Sequence, residues 1–215
     1  MVEKMSQKNK YRIYNLNKDL CFSINSRNKP KAEERFQIFL EKNNLILELN
    51  SDDILGMLLN YKTKSTLTVL GLTAYNIFNP NVPDNTIMGY SCGNGASVVS
   101  LTECFDNSIK NKIIKNNRAF VEMAKTTLHE LSHTFGIDHC VEYHCIMNSL
   151  SSKESYKNPI YFCPICLCKL YIGINLDLEK RYNDLLDFYT NNEMMESANW
   201  VKKRINLLNK DKLII

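Results

Sequence analysis

The chain has 215 residues, 44% of them hydrophobic and 23% charged, which allows one domain with a real core and argues against two independent ones. Its net charge of +4 comes from lysines interleaved with Asn and Asp. This excludes the basic stripe of a nucleic-acid binder, and no run reaches the roughly 18 apolar residues of a membrane span.

In chain order, residues 11–14 read as a short strand in a polar N-terminal stretch. Residues 1–20 hold no apolar run, so no secretory signal is expected and the chain reads as cytoplasmic. Pro30 opens a predicted helix to about Asn43, with Phe36, Phe39 and Leu40 on one face. Ser51-Asp52-Asp53 caps a second helix through Tyr61, its acids favoured at the N-terminal dipole end. Residues 66–72 have the β-branched, apolar composition of a buried strand. Residues 79–85 form a turn-rich surface loop, followed by strands at 86–90 and 97–101 around a Gly93-Asn94-Gly95 turn. A long helix is predicted over about 116–135, with Phe120, Ala124, Thr127 or Leu128, Leu131 and Phe135 on its core face. Two further amphipathic helices are predicted, over about 177–190 and 193–209.

The chemistry concentrates at the end of the long helix. His129-Glu130-Leu131-Ser132-His133-Thr134-Phe135-Gly136-Ile137-Asp138-His139 fits the pattern H-E-x-x-H-x-x-G-x-x-H at every fixed position. His129 and His133, four residues apart, leave one helix face about one turn apart and can reach a single metal ion. Gly136 takes the left-handed conformation that stops a helix, so the chain can turn and return His139 as a third ligand. Three neutral imidazoles leave the fourth zinc position open to water, and Glu130 is placed to take the proton of that water. All four histidines and five of the eight cysteines lie between residues 129 and 168. In a reducing compartment, cysteines at such spacing read as ligands, not disulfides. Cys140, Cys145, Cys163 and Cys166 fit a second, closed zinc site, which makes two zinc ions per chain. Cys168 reads as a free thiol, and Cys21, Cys92 and Cys104 as structural. His144 reads as an exposed histidine, and Tyr143, Tyr156 and Tyr161 as packing residues.

A histidine triad fused to C-x4-C-x-M with a downstream CxxC resembles the archaemetzincins, a branch of the metzincin zinc peptidases. Residues 69–101 resemble that family's strand region, and Cys163 to Leu170 with Glu179-Lys180-Arg181-Tyr182 its CPxC–ERY tail. Lys180 is an insertion in that tail, and the 15-residue spacer between Met147 and Cys163 is a little short for the family. The resemblance implies a metzincin-like α/β fold forming one catalytic domain over residues 1–215. Its upper lobe (1–136) would hold a twisted mixed sheet and the active helix. Its lower lobe (137–215) would be small, mostly helical and tied by the four-cysteine zinc. Met147 would be the methionine of the turn beneath the metal, and the strand near 95–101 the edge that pairs with an extended peptide.

The function expected is zinc-dependent hydrolysis of peptide bonds with Glu130 as general base, as an aminopeptidase in one form of that reading. The partner expected is a peptide or protein substrate, with no nucleic acid, no membrane and a monomeric chain. The competing reading is a catalytically silent zinc protein that binds peptides or a partner in the same cleft, for which Glu130 would be superfluous. A zinc-ribbon binding module built on the four cysteines would need basic or aromatic clustering around them, and residues 140–168 have little of either.

Overall fold

The computed structural model describes residues 11–15, 18–22, 45–79, 81, 86–93, 95–102, 117–149 and 157–212. The helix expected over 30–43 lies outside these residues, as do Cys104 and Tyr156. The architecture is mixed α/β, with eight described strands in two sheets and five described helices.

The first sheet runs β2 (Lys18–Phe22), β1 (Tyr11–Asn15), β3 (Leu45–Asn50), β5 (Asn76–Phe78), β6 (Thr86–Ile87). Its strands are antiparallel neighbours except for the parallel pair β3 and β5. Between β3 and the second sheet lies α1 (Ser51–Leu59). Its cap is Asn50, one residue earlier than expected, whose side chain accepts from the Asp52 N–H at 2.9 Å. Asp52 and Asp53 occupy the first turn, where the helix dipole favours negative charge.

The second sheet positions the site. It has three strands in the order β4 (Val69–Thr73), β8 (Ala96–Ser100), β7 (Gly89–Cys92). β8 runs parallel to β4 and antiparallel to β7, so both of its edges are paired. This corrects the expectation that the strand near 95–101 is an edge. β7 is an edge of the sheet, and the continuous strand expected over 86–90 is divided, with Thr86–Ile87 in the first sheet. The all-buried pattern of β8, Ala96-Ser97-Val98-Val99-Ser100, is that of a central strand covered on both faces. One face of β7 and β8, carrying Tyr90, Cys92, Ala96 and Val98, packs with Leu55 of α1 and Ile77 of β5. The other face meets α2 (Asn117–Thr134), the long helix, within two residues of its predicted bounds.

Away from the sheet, α2 covers two further apolar clusters. Phe120, Val121 and Ala124 pack on Tyr182 and Tyr189 of α4 (Leu178–Asn191) and on Ala198 and Val201 of α5 (Met195–Lys212). Leu128 and Phe135 pack on Ile137, Ile146, Met147, Phe162 and Leu170. These partly buried contacts on two clusters grip the helix on both sides, each stabilising by less than the roughly 1.5–3 kcal/mol of a fully buried large apolar side chain. α3 (Pro164–Ile174), which the sequence pattern does not reveal, begins in the CxxC. Cys163 is its cap and Pro164 supplies the fixed φ of a first helical residue. Among the described residues, no helix is long and apolar enough to cross a membrane.

Candidate active site

α2 ends at Thr134 because Gly136 takes φ +76°, a left-handed conformation that side chains other than glycine rarely adopt. The Ser132 carbonyl accepts from Phe135 at 3.0 Å and from Ile137 at 3.2 Å, which closes the last turn. The chain then doubles back and brings His139 to the two helical histidines. Ring centroids lie 4.7 Å apart for His129 and His133, 5.2 Å for His129 and His139, and 4.8 Å for His133 and His139. One nitrogen from each imidazole lies within 4.8 Å of the others, close enough to share an ion. His129 and His133 are half-buried and His139 is exposed, so the cluster opens to solvent on one side.

The orientation of the helical rings is set by main-chain carbonyls. His129 Nδ1 lies 2.9 Å from the Ile146 carbonyl, and His133 Nδ1 lies 2.8 Å from the Ile137 carbonyl. A carbonyl only accepts, so each Nδ1 carries the proton and each Nε2 keeps its lone pair. Burial pushes the His129 pKa down to about 4 and lowers that of His133, so both rings stay neutral. The two Nε2 atoms are 3.1 Å apart. Two lone pairs facing each other at that distance repel unless a cation lies between them. The donor set therefore fits a metal ion of the kind that imidazole binds, zinc foremost.

Glu130 is half-buried, with its side chain against the second sheet. Burial raises its carboxyl pKa to about 7, opposed by a hydrogen bond from Ser91 on β7. A divalent cation at the neighbouring imidazoles would draw it back down by attraction. The carboxylate lies directly against Gly89, where a Cβ would stand 2.5 Å from Glu130 Cγ and 2.8 Å from its Oε1. Neither Ser91 nor Gly89 stands out in the sequence. A lone Ser and Gly in a strand carry no signal until the strand is seen beneath the helix.

The four cysteines expected to share an ion converge as well. The sulfurs of Cys140, Cys145, Cys163 and Cys166 lie within 4.8 Å of one another, and all four residues are buried. Main-chain N–H groups point at them. Cys145 Sγ accepts from Cys163 at 3.2 Å and Met147 at 3.5 Å, and Cys163 Sγ accepts from Cys166 at 3.4 Å. Such donors favour thiolate, yet burial pushes the Cys145 and Cys166 thiols up, and four crowded thiolates repel. A cation at their centre resolves this conflict, and four sulfurs fit tetrahedral zinc. Cys168 is exposed and stands outside the cluster, as expected of a free thiol.

The same loop serves both clusters. Met147, fully buried, accepts from the Cys140 N–H through its carbonyl at 2.8 Å, one residue from the Ile146 carbonyl that anchors His129. Asn148, unremarked in the sequence, stitches this loop: its Nδ2 donates to the carbonyls of Cys140 at 2.7 Å and Tyr143 at 2.8 Å, and its Oδ1 accepts from Cys145 at 2.8 Å. His144 is exposed as expected, near the Lys157 carbonyl at 2.9 Å. Tyr161 is committed to packing, stacked 4.2 Å from the Trp200 ring of α5.

Residues 32–171 match the family model described as peptidase family M54. The chain belongs to that family. Its similar curated relatives are archaemetzincins, in agreement with the resemblance read from the triad and the cysteines. It is 25% identical over 183 residues to archaemetzincin-2 of Macaca fascicularis, an alignment covering 73% of this chain and 51% of that one. It is 29% identical over 166 residues to archaemetzincin-1 of Homo sapiens, covering 65% and 33%. The chain thus spans about half the length of the first relatives and a third of the second. Among solved structures, the archaemetzincin of Methanopyrus kandleri is 26% identical with a TM-score of 0.46, covering 60% of this chain and 67% of that one. That of Archaeoglobus fulgidus, complexed with malonate, is 23% identical with a TM-score of 0.44, covering 57% and 69%. In this M54 chain, residues 129–166, which carry the triad and the four cysteines, fall within the matched segment.

Proposed function

We propose that this chain is a zinc metallopeptidase whose single catalytic domain, 1–215, comprises an upper lobe over 1–136 and a lower lobe over 137–215. The observation that carries the reading is the convergence of three imidazoles at an open rim, with the half-buried carboxylate of Glu130 on the same helix, next in sequence to His129. His129, His133 and His139 would hold the catalytic zinc, and Cys140, Cys145, Cys163 and Cys166 a second, structural zinc. Zinc held by the three imidazoles would supply Lewis acidity for activating water and polarising a scissile carbonyl. Glu130 accepts the proton of the attacking water and delivers it to the leaving amine. The carbonyls of Ile146 and Ile137 hold the imidazoles in the ligating tautomer, and Met147 packs in the turn between the two clusters. An extended peptide added to the outer edge of β7 would pass the residues beside Glu130, so β7 replaces β8 as the substrate strand. The substrate is a peptide or protein, and the chain acts as a monomer. Release of single N-terminal residues is the finer form of this reading, and mass spectrometry of the products decides it against internal cleavage.

The test is a peptide library incubated with the zinc-loaded chain and two variants. Glu130→Gln keeps its zinc and loses at least about a hundredfold in rate, the usual scale for a general base. His133→Ala loses one zinc and all activity. A Glu130→Gln protein that cleaves at the parent rate refutes the mechanism. A fully loaded parent that cleaves nothing favours a silent, peptide-binding protein.

A further inference from the structure

The register of β7 and β8 fixes which side chains lie under the active helix. Tyr90, Cys92, Ala96 and Val98 face α1, so the alternate residues Gly89, Ser91, Ser97 and Val99 face α2. Three of these four are Gly or Ser, and a strand face of small residues lets a helix approach closely. Glu130 fills the space they leave. Its side chain lies against the bare Cα of Gly89, and Ser91, two residues along the same strand face, favours the charged carboxylate against the burial that raises its pKa. Ser97 is directly opposite Ser91 across the two strands. It is fully buried, and its hydroxyl has no partner. A buried hydroxyl without a partner is costly and asks for an explanation. Directly opposed residues have Cβ atoms about 4.5–5.5 Å apart, so the Ser91 oxygen is within reach of the Ser97 hydroxyl by a change of rotamer.

We propose that Ser91 is the positioning residue for Glu130, holding its carboxylate in the notch at Gly89 and backed by the hydroxyl of Ser97. The hydroxyl of Ser91 donates to one carboxylate oxygen, and its own oxygen accepts from Ser97. Of the two oxygens of Glu130, one is thereby tied to the sheet and the other is left to face the imidazoles. A general base works only when its oxygen is held in a narrow range of positions, and a helix side chain with several rotatable bonds does not hold itself. The sheet therefore contributes to the reaction without touching substrate.

The kinetic arm of the test rests on the peptidase reading; the structural arm does not. Full-length zinc-loaded Ser91→Ala, Ser91→Thr and Gly89→Ala are compared in the parent and in a Glu130→Ala background. In the structural arm, Ser91→Ala lowers the midpoint of chemical unfolding in the parent and leaves it nearly unmoved in Glu130→Ala. Equal shifts in both backgrounds mean that the two residues are uncoupled, and overturn the proposal. In the kinetic arm, Ser91→Ala lowers kcat roughly ten- to a hundredfold, the scale of one hydrogen bond to a charged group, while KM changes little. Ser91→Thr, which keeps the hydroxyl, restores most of kcat, a recovery that mere packing would not produce. Gly89→Ala pushes Glu130 out of its notch and lowers kcat without loss of zinc. An active parent whose Ser91→Ala variant keeps full kcat overturns the proposal. A parent without any activity refutes the peptidase reading instead, and the unfolding arm then decides the Ser91–Glu130 coupling alone.

Discussion

The histidine and cysteine clusters share one loop, residues 137–147, which supplies His139 to the first and Cys140 and Cys145 to the second, yet they sit in opposite surroundings. His139 is exposed and the two helical histidines are half-buried, whereas the four cysteines are between 0 and 9% exposed. The two helical histidines are oriented through their Nδ1 atoms by carbonyls, which leaves the Nε2 lone pair of each free to ligate. Cys145 and Cys163 are oriented through their sulfurs by N–H groups, and all four cysteines pack with Ile137, Ile146, Met147, Phe162 and Leu170. Ligand type and access change together: an open imidazole site leaves a coordination position for chemistry, and a sealed thiolate site does not. The difference teaches that, on the proposed reading, one loop joins an open centre suited to chemistry to a sealed centre suited to structure, the second fixing the backbone that aims the first.

Breaking the sealed cluster should have the largest effect. Cys163 is a proposed ligand, the cap of α3 and the acceptor for the Cys166 N–H. Structural zinc in small sites binds with apparent free energies of roughly 10–16 kcal/mol, which a lobe of this size cannot replace by packing. Cys163→Ser is expected to lose one zinc per chain and melt the region around it. Trp200, the sole tryptophan, reports this through its fluorescence, because it stacks on Tyr161 two residues from Cys163. An unchanged melting temperature and unchanged zinc content would remove Cys163 from the ligand set.

A chelator sharpens the same contrast. Mild treatment is expected to take the zinc of the open histidine cluster and abolish hydrolysis, with little change in the Trp200 signal. The buried cysteine cluster is expected to keep its proposed ion until the chain unfolds. Simultaneous loss of both ions would show that the two sites are one cooperative unit and that the difference in exposure is without consequence.

The smallest effect is expected at Cys168. It is exposed, two residues beyond Cys166, and outside the cluster. Cys168→Ser should change neither zinc content nor melting temperature, and it should remove one fast-reacting thiol per native chain when a thiol reagent is added. Damage equal to that of Cys163→Ser would mean that the sealed cluster uses a different fourth sulfur.

Much of the proposed site was legible in the sequence because its ligands are local. His129 and His133 are one helical turn apart, Gly136 is the residue that permits the reversal, and Cys163 and Cys166 bracket one helix start. Local spacing decides such geometry whatever the rest of the chain does. Helices with strong periodicity were also legible, and α2, α4 and α5 lie within three residues of their expected bounds. The short strands β2, β3 and β5 and the helix α3 were not. α3 is apolar around most of its circumference, so no face shows in its pattern, and three- to six-residue strands carry too little period to be recognised.

What the sequence by itself determined is therefore the list of candidate ligands and the local turns that bring them together. The tertiary structure decided what surrounds them. It put β8 in the centre of its sheet and β7 at the edge, because a strand buried on both faces takes the middle position. It set Gly89 and Ser91 under Glu130, a pairing about 40 residues apart in sequence that no local spacing encodes. Strand order depends on which apolar faces find each other across the whole chain, so only the folded molecule contains that information.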